Sequence, residues 1–447
     1  MRRAFATALA LSAAAPALAQ QGECTDGVCK VAMTADQLLA SAEALVAEHR
    51  FGEAAPMIAA LENAPQYALQ RQFLIGYSAI ELGNVDAAIG TFRKILDSHP
   101  EQTRVRLELA RALMLKGRAG AADHHFRLAQ SDRAIPADIA RTISANRRLL
   151  RDTDQFTFGL DLGIAPDSNI TNGTSAETVD IAFGNQTVPL TLDNQARQRS
   201  GTGQTVGLTS TARIGFSGDT RLLIETDANF VNYKGQGSDD IFAQIAIGPD
   251  FRLGDETRLS VTALGSHRWY GGQKAQLAGG LRASLLHNLS DSARLGFSLD
   301  ARRNDSGIAS AYSGWQFGGT ATFEKAIARR FIASASLFGR RDALNSKSYS
   351  GTELGANLGF GGDLPLGLTA GISGGVSRAA YDAPLVLFGS EPRKDWRLNA
   401  RVQLGIRAFR FLGFSPSLTY SFSKSASSLT LYDSTRHRLR FGLARYF

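Results

Sequence analysis

The side chains in this sequence that could do chemistry are few and scattered. Seven histidines occur, none in the i, i+4 pairing that lets one helix face hold a metal. His124 and His125 are neighbours, so they point to different helix faces, and both are expected to meet solvent. Cys24 and Cys29 are the two cysteines. A metal site needs more ligands than these, whereas a small disulfide loop near the mature terminus suits an oxidising compartment. Gly201-Thr202-Gly203 resembles a phosphate-loop fragment, yet no helix-forming run follows it, so it reads as a glycine-rich strand start. A catalytic triad drawn from distant strands would leave no local trace. No catalytic residue, cofactor or metal ligand is therefore expected.

The more informative residues are charged ones in alternating runs. Glu225, Asp227, Arg294, Asp300, Arg302, Arg397, Arg401, Arg407, Arg436, Arg438 and Arg440 share a face opposite apolar neighbours. On the inner wall of a barrel they could pair across the lumen and narrow it. The arginine excess on the last strands could equally make an anion-preferring pore. The formal charge of +8 does not call for nucleic acid, because the arginines sit in strand-like runs rather than a basic tail.

These runs need a scaffold with period 2, and the chain supplies one from about Gln155 to its end. Phe156, Phe158, Leu160, Leu162 and Ile164 alternate with Thr157, Gly159, Asp161 and Gly163. Tight turns are read at Ser217–Thr220, Gly254–Thr257, Ser290–Ala293, Ala328–Arg330, Asp363–Leu366 and Arg410–Gly413. Longer polar connections fall at 165–201, 234–240, 271–274, 303–314, 342–348, 380–393 and 424–434. Strict alternation of short and long connections around 14 strands is the pattern of an antiparallel transmembrane β-barrel. Tyr233, Trp269, Tyr270, Trp315, Tyr349, Trp396 and Tyr432 gather near the loop ends, as an interfacial girdle would. The last strand closes on Phe447, an aromatic terminus of the sort presented to the barrel-assembly machinery. Membrane lipids and lipopolysaccharide are the expected surroundings.

Ahead of the barrel the apolar period is helical. Residues 1–19 read as a signal peptide, with Arg2 and Arg3 before an apolar stretch and Ala17-Leu18-Ala19 before the cut. Residues 20–33 are expected to form a flexible mature terminus. From 34 to 150 a self-comparison aligns Gly76 with Ala110, Gly83 with Gly117, Ala88 with Ala122 and Phe92 with Phe126. Small residues at helix crossings, a turn glycine and a large packing residue make a tetratricopeptide pattern. The expected fold is thus a periplasmic α-helical tetratricopeptide-repeat domain, 34–150, followed by a 14-stranded barrel, 155–447.

That order of parts resembles the surface lipoprotein assembly modulator family. Pro166-Asp167-Ser168-Asn169-Ile170, just after the first strand, is similar to a Pro-Asp-Ser-Asn-Ile segment found there in that family. Independently, Asp, Ser and Asn favour turns and cap exposed amides, as a bend at a barrel rim requires. The resemblance implies a translocator that delivers surface lipoproteins or secreted client proteins across the outer membrane. The repeats would bind the client and the barrel would form the passage. The chain departs from the family in having few clear repeats. A solute porin or polysaccharide-export channel with a periplasmic repeat domain is the other reading.

Overall fold

The computed structural model describes residues 23–25, 28–30, 33–132, 134–153, 156–183, 186–235, 237–407, 409 and 414–446. The expected signal peptide, the turn at 410–413 and Phe447 lie outside the described residues. The chain divides into two compact units between Lys116 and Gly117.

The first unit begins with a short hairpin, β1 (Glu23–Thr25) and β2 (Val28–Lys30), whose register sets Cys24 opposite Cys29. Their side-chain pairing lies outside what is described. Five helices follow: α1 (Ala35–Ala47), α2 (Phe51–Ala60), α3 (Ala68–Glu81), α4 (Val85–Ser98) and α5 (Thr103–Leu115). Thr34 starts α1 with a capping box. Its hydroxyl accepts from the Gln37 amide at 3.3 Å, and its own amide donates to Gln37 Oε1 at 3.0 Å. Asn84 caps α4 through the Ala87 amide, directly after Gly83 at φ +82°. A left-handed turn there favours glycine. Ala42, Val46, Ala54, Ile58 and Leu74 form a core between α1, α2 and α3.

The repeat alignment has structural counterparts. Ala88 and Phe92 are buried, as are Ala110, Ala122 and Phe126, and Gly117, like Gly83, has a positive φ. This is compatible with tetratricopeptide units. At Gly76 a Cβ would lie 2.7 Å from the Phe92 ring, so α3 and α4 approach only because that position is bare. Gly76→Val is expected to destabilise this unit by about 1–3 kcal/mol through overpacking. Helical circular dichroism of the full chain should then melt at lower temperature, with the strand signal unchanged. An unaltered helical transition would mean that Phe92 simply moves aside.

The second unit carries two more helices, α6 (Ala119–Gln130) and α7 (Ala137–Thr153), which lead into β3 (Phe156–Asp167). The first long connection contains a separate hairpin, β4 (Thr178–Phe183) with β5 (Gln186–Thr191), an element absent from the sequence reading. Then come β6 (Gly201–Ser217), β7 (Thr220–Tyr233), β8 (Asp240–Arg252), β9 (Thr257–Tyr270), β10 (Gln273–Ser290) and β11 (Ala293–Ser306). The series ends with β12 (Gly314–Ile327), β13 (Phe331–Leu344), β14 (Gly351–Leu364), β15 (Leu368–Pro384), β16 (Pro392–Ile406), β17 (Ser415–Ser427) and β18 (Ser434–Tyr446). Each strand from β6 pairs antiparallel with the next, and β18 returns to β3. The barrel is closed with 14 strands, as expected.

One connection differs from its expected length. Only Gly271 and Gly272, both at positive φ, separate β9 from β10. Two such residues make a tight hairpin turn in place of a long loop. The short links at 218–219, 253–256, 291–292, 328–330 and 365–367 are present as expected.

The two faces of the wall are unlike. Leu299, Leu337 and Leu358 are 66%, 67% and 68% exposed, and a continuous apolar outer belt of this kind belongs in hydrocarbon rather than water. No helix among the described residues is long and apolar enough to cross a membrane. Crossing falls to the strands, whose ladder closes on itself between β18 and β3.

Helices α6 and α7 sit on the tight-turn end. The Arg329 amide donates to Ser131 Oγ at 2.7 Å, and its guanidinium lies 3.3 Å from Asp132. Arg147 donates to the Asp291 carbonyl at 2.6 Å, and Ser144 Oγ lies 2.9 Å from the Asp291 carboxylate. The hairpin is thereby tied to the β10–β11 and β12–β13 turns.

Candidate functional site at the barrel rim and inner wall

The segment that opens the first loop closes the barrel. Pro166 has no amide hydrogen to give the ladder. Between β3 and β18 the paired positions are Arg438 with Asp167, then Phe441 to Tyr446 with Ile164 to Gly159. Leu439 and Arg440, opposite Pro166 and Ala165, are skipped. Beyond the gap Ser168 restores the link. Its amide donates to the His437 carbonyl at 2.9 Å, and its hydroxyl accepts from the His437 amide at 2.9 Å.

Asp167 is the centre of this closure, with its side chain fully buried. Arg436 donates from Nε at 3.0 Å to both carboxylate oxygens and from Nη2 at 2.5 Å. Arg438 Nε stands 3.7 Å away. Tyr233 on β7 donates its hydroxyl at 3.1 Å, and the Asn169 amide donates at 3.0 Å. One carboxylate thus joins the first and last strands and a third strand. Bidentate, charge-assisted contacts of this kind are the strong ones.

Asn169, also fully buried, holds the bend itself. Its amide donates to the Gly173 and Thr435 carbonyls at 2.8 and 3.1 Å, and its Oδ1 accepts from the Gly173 amide at 3.1 Å. Gly201 and Gly203 make room beside it. A Cβ at Gly201 would press on Ile170 at 3.2 Å, and one at Gly203 would meet the Tyr233 ring at 2.7 Å. The glycine pair is a strand start, as expected, and its bareness seats two side chains of the closure.

The other charged positions form pairs along the same wall. Arg302 meets Asp300 at 2.7 Å, Arg294 meets Glu324 at 2.6 Å, and Arg407 meets Asp363 at 3.1 Å. Arg397 binds Glu353 at 2.6 Å and Asp395 at 3.2 Å. Arg440 pairs with Asp161, and Glu225 lies 3.7 Å from Arg282. Asp227 accepts from Asn229, and Arg401 remains exposed. Most partners are two residues apart or on nearby strands, so pairing runs along the wall more than across the lumen.

Two sequence expectations need correction. Tyr233 is only 4% exposed and turns its hydroxyl to Asp167, so it is no part of a lipid-facing girdle. His125 is 6% exposed, because it shares the buried α6 stripe with Ala122 and Ala129 at helical spacing. Sequence reasoning missed Tyr233, Glu324 and Glu353 as partners; only strand register brings them to their arginines. Among the described residues no group of three or more His, Cys, Asp or Glu is placed to hold a metal.

A closed 14-stranded sheet with an apolar exterior and a charged opposite face defines an integral outer-membrane β-barrel protein. The sequence model of the family described as "Surface lipoprotein assembly modifier" matches residues 158–447, and the chain belongs to that family. It is 23% identical over 360 residues to a surface lipoprotein assembly modifier of Moraxella catarrhalis, covering 79% of this chain and 69% of that protein. It is 22% identical over 396 residues to the hemophilin secretion modulator of Acinetobacter baumannii, covering 84% and 78%. Among solved structures, the outer membrane channel DcaP of Acinetobacter baumannii aligns with a TM-score of 0.39 at 10% identity, covering 64% of this chain and 96% of that one.

Proposed function

We propose that this chain delivers surface lipoproteins or secreted client proteins across the outer membrane. The N-terminal helices receive the client in the periplasm, and the barrel forms its passage. The observation that carries this reading is the fusion, in one chain, of a repeat-like helical unit to a barrel of this family. A diffusion pore has no use for a peptide-binding module, whereas a translocator does. The names of both relatives point the same way, one to lipoprotein assembly at the surface and the other to secretion.

On this reading the protein works by binding and passage and is not an enzyme. Its exposed apolar belt meets outer-membrane lipids and lipopolysaccharide, and β18 is the strand offered to the assembly machinery. The paired inner wall lines the route. Passage is driven by client folding outside or by differences in binding.

The test is surface display, in a Gram-negative host, of a small epitope-tagged lipoprotein from the source organism. Antibody labelling of intact cells is expected only when the chain is co-expressed. Equal labelling without the chain would overturn the proposal, above all if the purified protein showed a steady, anion-selective conductance in planar bilayers.

A further inference from the structure

A cavity of about 340 Å³ lies between α6, α7 and the tight-turn ends of β6 to β11. Six arginines line it, Arg127 and Arg147 from the helices and Arg213, Arg252, Arg258 and Arg294 from the wall. Two of the nearby carboxylates are each shared by two arginines. Asp250, 3% exposed, has Arg258 at 3.5 Å and Arg213 at 3.9 Å. Glu324 takes Arg294 at 2.6 Å and Arg127 at 3.3 Å. Arg147 has Asp123 at 2.7 Å, and Arg252 has Asp255 at 2.9 Å.

Sharing leaves donors over. The Nε–H groups of Arg127 and Arg213 are buried and make no hydrogen bond among the described residues. A buried donor left without an acceptor is destabilising until a ligand supplies one. Burial, and then the charge of Arg294, hold the Arg127 pKa below the usual arginine value. Two buried donors are thus left over, and the six arginines outnumber the acids Asp123, Asp250, Asp255, Glu256 and Glu324 around them.

We propose that this cavity binds the anionic side chains of a polypeptide, the Asp or Glu residues of a client segment entering the barrel. The assignment rests on the translocator reading above. Position selects a peptide over a lipid headgroup. Arg258 lies opposite Leu286 and Arg294 opposite Glu324 in the ladder, on the face away from the exposed apolar belt. The cavity is at the end where β3 begins and β18 finishes, the periplasmic end by the topology proposed.

The test uses the full chain in detergent micelles and a fluorescent hexaglutamate peptide read by anisotropy. The wild type is expected to bind it in a salt-sensitive manner and to ignore hexaglutamine. Arg127→Gln with Arg213→Gln should weaken binding about tenfold or more. Glu324→Gln should instead tighten it several-fold, because that change frees two guanidinium groups; a misfolded variant would not do this. Inorganic phosphate, which shares the anion chemistry, should compete only far above the peptide Kd. Identical affinities in all three proteins, equal binding of hexaglutamine, or tighter binding of phosphate than of peptide would overturn the proposal. Surface display separates the two readings. Peptide binding without chain-dependent display sinks the translocator and leaves the anion site. Chain-dependent display, with hexaglutamate affinity and display both unchanged in the arginine double variant, sinks the anion site alone.

Discussion

A chain lacking residues 34–116 is expected to insert into the outer membrane normally and to display no client. The first unit has its own core around Ala42, Val46, Ala54, Ile58 and Leu74, and all 14 strands of the closed barrel lie in the second. The cut belongs at Lys116 rather than at Leu150. Cutting at the later point would also take away Arg127, Ser131 and Arg147, which tie α6 and α7 to Glu324, Arg329 and Asp291. It would expose a turn whose Ala328 and Arg329 both hold positive φ, a strained backbone for residues with a side chain. Insertion is scored by the heat-modifiable migration of the folded barrel, and display by protease shaving of intact cells. Loss of most of the display signal with an unchanged barrel band is the expected result. Undiminished display would mean that the helices do not receive the client.

Asp167→Asn is expected to be the most damaging single substitution at the rim. The amide keeps the volume but leaves Arg436 and Arg438 facing each other without their carboxylate. Removing one partner of a buried pair costs about 3–5 kcal/mol. Partial exposure of the two arginines, 27% and 26%, places this case toward the lower end. Tyr233→Phe removes one hydrogen bond to the same carboxylate and should cost about 1 kcal/mol. Urea unfolding of the protein refolded into vesicles would rank the two. If Asp167→Asn proved no worse than Tyr233→Phe, the carboxylate would not be what holds the first and last strands together.

Much of the fold was legible because its signals are local. Period-2 alternation from Phe156 and the short links at Ser217–Thr220 and Ser290–Ala293 depend on neighbours in sequence, and all are present in the structure. The Asp167–Asn169 bend and the arginines of β18 were each visible as residues, but their meeting was not. Asp167 and Arg436 are 269 positions apart, and only ring closure makes them neighbours. Tyr233 was misread because an aromatic at a strand end suits a lipid girdle and a buried hydrogen bond equally well. The carboxylates Asp250 and Glu324 carried no sequence mark that separated them from ordinary surface acids. Helical period likewise does not reveal which neighbour a helix leans on. The grouping of α6 and α7 with the barrel appears only in three dimensions.

The distance in sequence between Asp167 and Arg436 bears on how the protein is made. Joining chain ends across that many residues forfeits on the order of 5 kcal/mol of loop entropy, so the two strands meet late, after the intervening hairpins have zipped. Until β18 arrives, Asp167 lacks both arginines, Ser168 lacks His437, and Asn169 lacks the Thr435 carbonyl. A chain truncated or stalled before its final strand cannot complete any of these bonds. The Asp167 closure therefore doubles as a test of completeness during biogenesis. An unfinished barrel carries at its rim an acid held by the Tyr233 hydroxyl and the Asn169 amide but without its arginine counter-charges.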